Sequence, residues 1–320
     1  MRSLDCGLNE KVISTTSAAS KTIRVSQGDG DGIGLEVFLK SAILLSEERA
    51  KRLHLYANRE VLKKVLSKLR IPFAIEQDNI IISNLSVRTT WCKGDAFDCF
   101  ESAINDLAGK DILFTLPASK KSFPIGAPGH TAYLRQRFKR DLIMFFKSNE
   151  QHLGLLTDHI QLSHVNEVIT PELVFHTTKA MLIGAKRFLN LSPKRVLFSG
   201  INPHAGESGL LGNDIEIYNP AMIELANTFP QIQFDGPLAG DTLYAKADRD
   251  TWLIFAHHDQ ALAPFKAMQS FNGSNITLGL DFLRLSVDHG TAIDIAGQDK
   301  ANYLGCTYCL QLAFKALENS

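Results

Sequence analysis

The segment Thr22 to Leu45, TIRVSQGDGDGIGLEVFLKSAILL, decides the fold class. Its start, Thr22 to Ser26, alternates apolar and polar residues as a strand does. Leu35 to Leu45 repeats apolar residues at helical spacing, with Leu35, Phe38, Leu39 and Ala42 on one face. A strand that turns through glycines directly into a helix opens a layered α/β unit. The glycines between them, Gly28 to Gly34, invite a dinucleotide reading. The Rossmann fingerprint, however, needs glycine at relative positions 1, 3 and 6, and counting from Gly28 or Gly30 places Ile33 or Leu35 at the last one. The turn reads first as a tight connection that tolerates positive φ, and residues elsewhere must decide whether a cofactor binds.

The alternation continues outward from this segment. Strands are expected at Thr22–Ser26, Leu53–Tyr56, Ile80–Ile82, Asp111–Thr115, Leu142–Phe146, Leu153–Leu156, Arg195–Phe198, Trp252–Ala256 and Asn275–Leu278. Helices are expected at Leu35–Leu45, Arg59–Leu69, Asp95–Leu107, Pro171–Leu189, Asn219–Asn227, Gln260–Met268 and Tyr303–Leu317. With 320 residues, 45% of them hydrophobic, the chain is long enough for one large or two ordinary domains around a sizeable core. Its 34 basic and 34 acidic residues cancel, which excludes a global basic field for nucleic acid or an anionic membrane. No apolar run approaches the roughly 18 residues of a membrane span. Residues 1–21, with Asp5, Glu10 and the Ser/Thr/Ala run Ser14 to Ser20, lack an apolar signal core and read as a flexible leader of a cytoplasmic protein. The five cysteines, Cys6, Cys92, Cys99, Cys306 and Cys309, are an odd number and argue against a disulfide framework.

Three histidines follow expected strands at polar turns: His159, His204 and His258. In open α/β sheets the ligand crevice lies beyond the carboxyl ends of the strands, and three imidazoles with an open position make a catalytic metal site. The competing reading for each is a hydrogen-bonded surface or core histidine. Of the adjacent pair His257 and His258 only one can face a site, and Asp259 is placed to support it. Pro128 to Thr131 precedes a helix expected from near Ala132, where backbone N–H groups and the Thr131 hydroxyl suit an anion, or Thr131 simply caps the helix. Lys266 and Arg284 are cations within apolar stretches, suited to clamp a carboxylate or phosphate, or else snorkelling to the surface. Cys306 and Cys309, although spaced C-x-x-C, fall inside an amphipathic helix and read as packing residues.

Together these segments resemble the 4-hydroxythreonine-4-phosphate dehydrogenase family of vitamin B6 synthesis. The resemblance runs in order from Gly28 to about Ala301. It rests on Gly28-Asp29 with Gly32-Ile33-Gly34 and Glu36, Pro117 with Lys120, Pro128-Gly129-His130-Thr131, the run from Gly200 to Glu207, Gly236-Pro237-Leu238, Asp241-Thr242-Leu243, His258-Asp259-Gln260, Asn275 to Leu280, and Arg284 to Gly297. The segment His289 to Gly297 is similar to the adenosine-binding loop of isopropylmalate and isocitrate dehydrogenases, which accounts for a dinucleotide enzyme without Rossmann spacing. The chain departs from the family pattern at Gly30, Asp31, Leu35, Ala132, His257 and Ala261, and is short over Tyr244 to Asp250.

The resemblance implies a two-domain, isocitrate/isopropylmalate dehydrogenase-like α/β/α fold with its active site in the interdomain cleft. Residues 22–128 plus 262–320 would form a cofactor-side domain and 129–261 a metal and dimerisation domain, with the site completed across a homodimer. His159, His204 and His258 would hold one divalent metal, Zn, Mg or Co, with Asp241 and Asp259 supporting it and Lys266 beside the reacting groups. His130, Thr131, Lys266, Asn275 and Arg284 would bind substrate, while His289, Gly290, Thr291, Ala292, Asp294 and Ile295 would meet NAD or NADP. The implied reaction oxidises 4-phosphooxy-L-threonine to a β-keto acid that decarboxylates to 3-amino-2-oxopropyl phosphate, on the route to pyridoxal 5'-phosphate. The alternatives are a sister dehydrogenase of D-threonate or D-erythronate 4-phosphate, or of another vicinal-diol acid, and a non-catalytic binding protein on the same fold.

Overall fold

The computed structural model describes residues 21–69 and 71–319; the expected leader, apart from Lys21, lies outside them. The elements of the first part are β1 (Ile23–Ser26), α1 (Gly34–Ala42), α2 (Glu47–Ala50), β2 (Leu53–Asn58), α3 (Arg59–Leu69), β3 (Phe73–Ile75), β4 (Asn79–Ile82), β5 (Leu85–Cys92), α4 (Ala96–Asn105) and β6 (Ile112–Thr115). The middle carries α5 (His130–Phe138), β7 (Ile143–Lys147), β8 (His152–Leu155), α6 (Val165–Val168), α7 (Pro171–Leu189), β9 (Arg195–Ser199), α8 (Asp214–Thr228), β10 (Gln233–Leu238) and β11 (Thr251–Phe255). The chain closes with α9 (His258–Gln269), β12 (Ser274–Leu278), β13 (Leu283–Val287) and α10 (Leu304–Asn319).

Every expected strand and helix is present close to its expected place, and the α/β class stands. The structure adds β3, β5, β10 and β13. Within β5 only Val87 and Thr89 are buried, and β10 contains Gly236 and Pro237, so neither shows a clean apolar run. β13 follows β12 within one largely apolar stretch, Asn275 to Val287, that shows no obvious break. The break is Gly279, whose φ is +104°, and a Cβ there would lie 2.1 Å from the Asp141 carbonyl oxygen. Helix α8 begins at Asp214, ahead of the expected Asn219. Asn219-Pro220 looks like a helix start, but the Asp214 carboxylate accepts the N–H groups of Ile201 (2.6 Å) and Asn202 (3.2 Å), and that tertiary contact fixes the true one.

Among the described residues the thirteen strands make one sheet, ordered β10-β9-β11-β8-β7-β12-β13-β6-β1-β2-β5-β4-β3. Its two wings are mainly parallel, as strand–helix–strand crossovers require, and they meet at β7 and β12, which pair antiparallel. One face is covered by α1, α3, α7, α8 and α10 in a continuous apolar core. On the other face two separate cores form: one built with α4 and α5 (Phe100, Leu113, Leu134), the other with α9 (Phe255, Leu262, Phe265). The gap between those two cores is a cleft above the centre of the sheet.

Period-2 alternation decides what the cleft sees. On β13, Leu283, Leu285 and Val287 face the continuous core, which turns Arg284 and Ser286 to the cleft. On β12, Ile276 and Leu278 face the core, leaving Asn275 and Thr277 on the other side, and β7 likewise presents Met144 and Phe146.

Candidate active site

The cleft holds a cavity of about 230 Å³. Its floor is Arg284, which is 3% exposed. The guanidinium has no carboxylate partner among the described residues. Nε and Nη2 donate to Thr115 Oγ1 (3.0 and 2.6 Å), and Nη1 donates to Thr277 Oγ1 (3.0 Å). The register makes this possible, because β13 sets Arg284 opposite Thr277 and Ser286 opposite Thr115. Burial with hydroxyl partners only pulls its pKa down to about 9. The surface-snorkelling reading of Arg284 is thereby excluded.

One wall is the start of α5. Thr131 is not its cap: the helix begins at His130, and Gly129, at φ +91°, stands at the cap position without a capping side chain. The first N–H groups therefore keep their capacity for an anion. His130 is wedged between Phe100 and Phe123, each ring centroid 4.8 Å away. Burial, with Arg284 nearby, holds it neutral.

The opposite wall is α9, which supplies His258 and Lys266. His258 Nδ1 lies 2.7 Å from Asp259 Oδ1, an arrangement that assigns Nδ1 as the donor and leaves Nε2 open. Asp259 itself is exposed, and its hydrogen bond to His258 keeps its carboxyl below the usual range. His159 completes this corner, its ring centroid 5.5 Å from that of His258. Burial is the main cause of its lowered pKa, so it is a neutral imidazole, the form that ligates a metal. Lys266 Nζ is 3.3 Å from Asp288 Oδ1, a carboxylate whose pKa burial raises.

His204 is not in this cavity. It follows β9, two strands from the β8 end that carries His159, so the three histidines share one edge of the sheet without converging. Six consecutive residues, His204 to Gly209, hold positive φ, and the His204 side chain is 71% exposed. Four of the six are not glycine, a strained turn of the kind found at functional sites. Among the described residues no group of three or more histidine, cysteine or acidic side chains is assembled that could hold a metal. Asp241 is exposed and lies outside the cavity.

Of the expected cofactor residues, His289 and Gly290 line the cavity, whereas Thr291, Ala292, Asp294 and Ile295 continue away from it. That loop packs on the glycine turn. Ile33 donates to the Thr291 carbonyl (2.9 Å), a Cβ on Gly32 would lie 2.9 Å from the same oxygen, and Glu36 accepts from the Gly297 and Ala301 N–H groups (3.3 and 3.0 Å). Gly32 thus serves the approach of a second loop rather than a pyrophosphate in the Rossmann manner. Asn275 Oδ1 and His289 Nε2 are buried without a hydrogen-bond partner among the described residues, a debt that a ligand would settle.

Sequence reasoning missed Thr115, Thr277 and Asp288, and gave Lys120 no role. Thr277 and Asp288 lie within segments that carry the resemblance but were given no role there, and the contacts of the two hydroxyls become visible only through strand register; Lys120 shares the cavity.

Residues 40–313 match the family described as "Pyridoxal phosphate biosynthetic protein PdxA". The chain is 32% identical over 303 residues to 4-hydroxythreonine-4-phosphate dehydrogenase of Helicobacter pylori strain J99, covering 89% of this chain and 96% of that protein. It is also 32% identical over 297 residues to the enzyme of the same name from Sulfurimonas denitrificans, covering 88% and 93%. Among solved structures, 4-hydroxythreonine-4-phosphate dehydrogenase from Klebsiella pneumoniae superposes with a TM-score of 0.75 at 25% identity, covering 93% of this chain and 100% of that one. A terephthalate 1,2-cis-dihydrodiol dehydrogenase from Burkholderia xenovorans shares the fold, with a TM-score of 0.57 at 19% identity. A match of this length, joined to full-length relatives and a common fold, places the chain in the PdxA family of pyridoxal phosphate biosynthetic proteins.

Proposed function

We propose that the protein is the 4-hydroxythreonine-4-phosphate dehydrogenase its relatives are named for. It would oxidise the substrate's secondary hydroxyl with NAD or NADP to a β-keto acid, which loses CO₂ to leave 3-amino-2-oxopropyl phosphate. The observation that carries this reading is Arg284: a buried guanidinium without a carboxylate partner forms the floor of the cavity that holds His159 and His258. A buried, unpaired cation is costly, and an anionic substrate offsets that cost.

His159 as a neutral imidazole and His258 with Asp259 fixing its ring fit a metal site, and their nitrogen donors suit Zn or Co better than Mg. A divalent ion bound there supplies Lewis-acid polarisation of the reacting oxygen. The chain's own residues do the rest. Arg284 and Lys266 hold the anionic groups and so fix the carbon that gives up hydride. His130 and Thr131 close the far wall. Residues 289–295 meet the dinucleotide, with Gly290 offering open space for a close approach. The third imidazole, His204, would come from a second copy of the chain, whose strained, exposed turn presents it outward. Residues 22–128 with 262–320, and residues 129–261, would be the two domains flanking the cleft.

A substrate panel tests the assignment. Turnover of 4-phosphooxy-L-threonine well above that of D-threonate or D-erythronate 4-phosphate supports it; the reverse order transfers the protein to the sister activity.

A further inference from the structure

A second cavity, of about 180 Å³, lies on the opposite face of the sheet from the cleft. Strand alternation puts it there. Met144 and Phe146 of β7 face the cleft, so Lys147, the last residue of that strand, turns the other way, under α10 and the end of α7. The two cavities share no lining residue. The lining of the second joins an apolar group, Leu189, Leu191 and Leu312, to a polar one, Lys147, Tyr308 and Lys315. An apolar body with a few convergent polar groups is the usual make-up of a small-molecule site.

Lys147 is half-buried. Its Nζ donates to the Ser148 carbonyl (2.8 Å) and the Tyr308 hydroxyl (3.5 Å), and no carboxylate among the described residues is within ion-pair distance of it. Two cations act on it instead. Arg249 is paired with Glu150 (3.1 Å), whereas Lys315 has no acidic partner among the described residues. Burial, with these like charges beside it, pulls the Lys147 pKa down to about 8, so that a share of it is free amine near neutral pH. A desolvated lysine next to a second cation is the arrangement that makes an amine nucleophilic toward a carbonyl. Lys315 offers its unanswered charge to an anion, and the leucines cover an apolar body.

We propose that this cavity binds a small phosphorylated aldehyde, with Lys147 forming an imine to the carbonyl carbon and Lys315 holding the phosphate. The bond from Nζ to carbon forms as the carbonyl opens to a carbinolamine. Its oxygen then leaves as water, carrying the two hydrogens that Nζ gives up. Tyr308, kept protonated by burial, is placed to pass one proton to the departing oxygen and to take one back from nitrogen. No oxidant or reductant is needed.

Pyridoxal 5'-phosphate, the compound whose biosynthesis the family is named for, is a phosphorylated aldehyde and serves as the probe, with unphosphorylated pyridoxal beside it. The full chain is titrated with each, imine absorbance is followed, and the adduct is fixed with borohydride and located by peptide mapping. Wild type should take up one pyridoxal 5'-phosphate per chain, on Lys147. Lys147→Arg should form no imine there, Lys315→Gln should bind the probe roughly 10-fold more weakly, and pyridoxal should bind wild type more weakly by a similar factor. Inorganic phosphate should compete. The mapping on wild type needs no variant and so does not depend on how Lys147→Arg folds. Label on Lys120 or Lys266, label scattered over many lysines, or no imine at all overturns the proposal. So does an undiminished imine in Lys147→Arg, or equal binding of pyridoxal and its phosphate.

Discussion

Arg284 donates two hydrogen bonds, from Nε and Nη2, to one hydroxyl, that of Thr115 on the neighbouring strand. A buried guanidinium is thereby oriented by neutral groups alone, which fixes its direction and leaves its charge available. The orientation and the charge of Arg284 can be tested separately.

Replacing Arg284 with Lys keeps the charge and removes the fork. The expected cost is about 2 to 5 kcal/mol in transition-state binding, a fall in kcat/KM of roughly 30-fold to several thousand-fold. Arg284→Met should lose substrate binding yet hold or raise the Tm, because it removes an unpaired buried charge. Undiminished kcat/KM in the Lys variant, or a Met variant that melts far below wild type, contradicts this account of the residue.

His204 lies outside the cavity formed by its own chain, and a dimer with shared sites predicts complementation. His204→Ala and His258→Ala should each be inactive and poor in metal. Refolded together as an equal mixture, they should regain about one quarter of wild-type activity, because half the dimers are mixed and each carries one intact site. A mixture as inactive as its components would place His204 outside the shared site.

His152 gives the protein an acid sensitivity unrelated to catalysis. Its ring stacks on Trp252 (centroids 5.3 Å apart) and Phe145 (6.0 Å), and neither nitrogen has a partner among the described residues. Burial, with Lys147 nearby, holds its pKa down to about 4. As pH falls below the unfolded value of about 6.5, the unfolded chain takes up a proton that the folded chain refuses, so stability is lost toward pH 4. The share of this residue is about 2 kcal/mol between about pH 7 and about pH 5. Urea unfolding at the two pH values should show a loss that is smaller by that amount in His152→Phe; an identical loss in wild type and variant would refute the assignment.

Cys306 and Cys309 are fully buried on α10, and burial raises both thiols, that of Cys309 to about 12. Replacing both by Ala should leave rate and bound metal near wild type and cost about 1 to 3 kcal/mol in stability from lost packing. A rate that tracks thiol oxidation would show that they do more than pack.

The fold was readable where local pattern and tertiary structure agree. Thr22 to Ala42 shows a strand, a glycine turn and a helix both in the sequence and in space. It was unreadable where the deciding contact is distant. Nothing within α8 announces that Asp214 will clamp Ile201 and Asn202, and the turn at Gly279 shows its purpose only against Asp141. The site divides in the same way. His130, His159, His258, Lys266, Asn275, Arg284 and His289 all line the cavity and were nameable from their segments. Thr115, Thr277 and Asp288 were given no role, since a hydroxyl that orients an arginine on the neighbouring strand is defined by register, and register is not written in either strand alone.

The most direct measurement of the central claim is nicotinamide reduction by the purified protein with 4-phosphooxy-L-threonine, before and after chelation and again after a divalent metal is restored. The account predicts NAD(P)H formation in the untreated enzyme, its loss on chelation and its return with Zn or Co. No NAD(P)H with metal, dinucleotide and substrate all present, or a rate indifferent to the chelator, would contradict it.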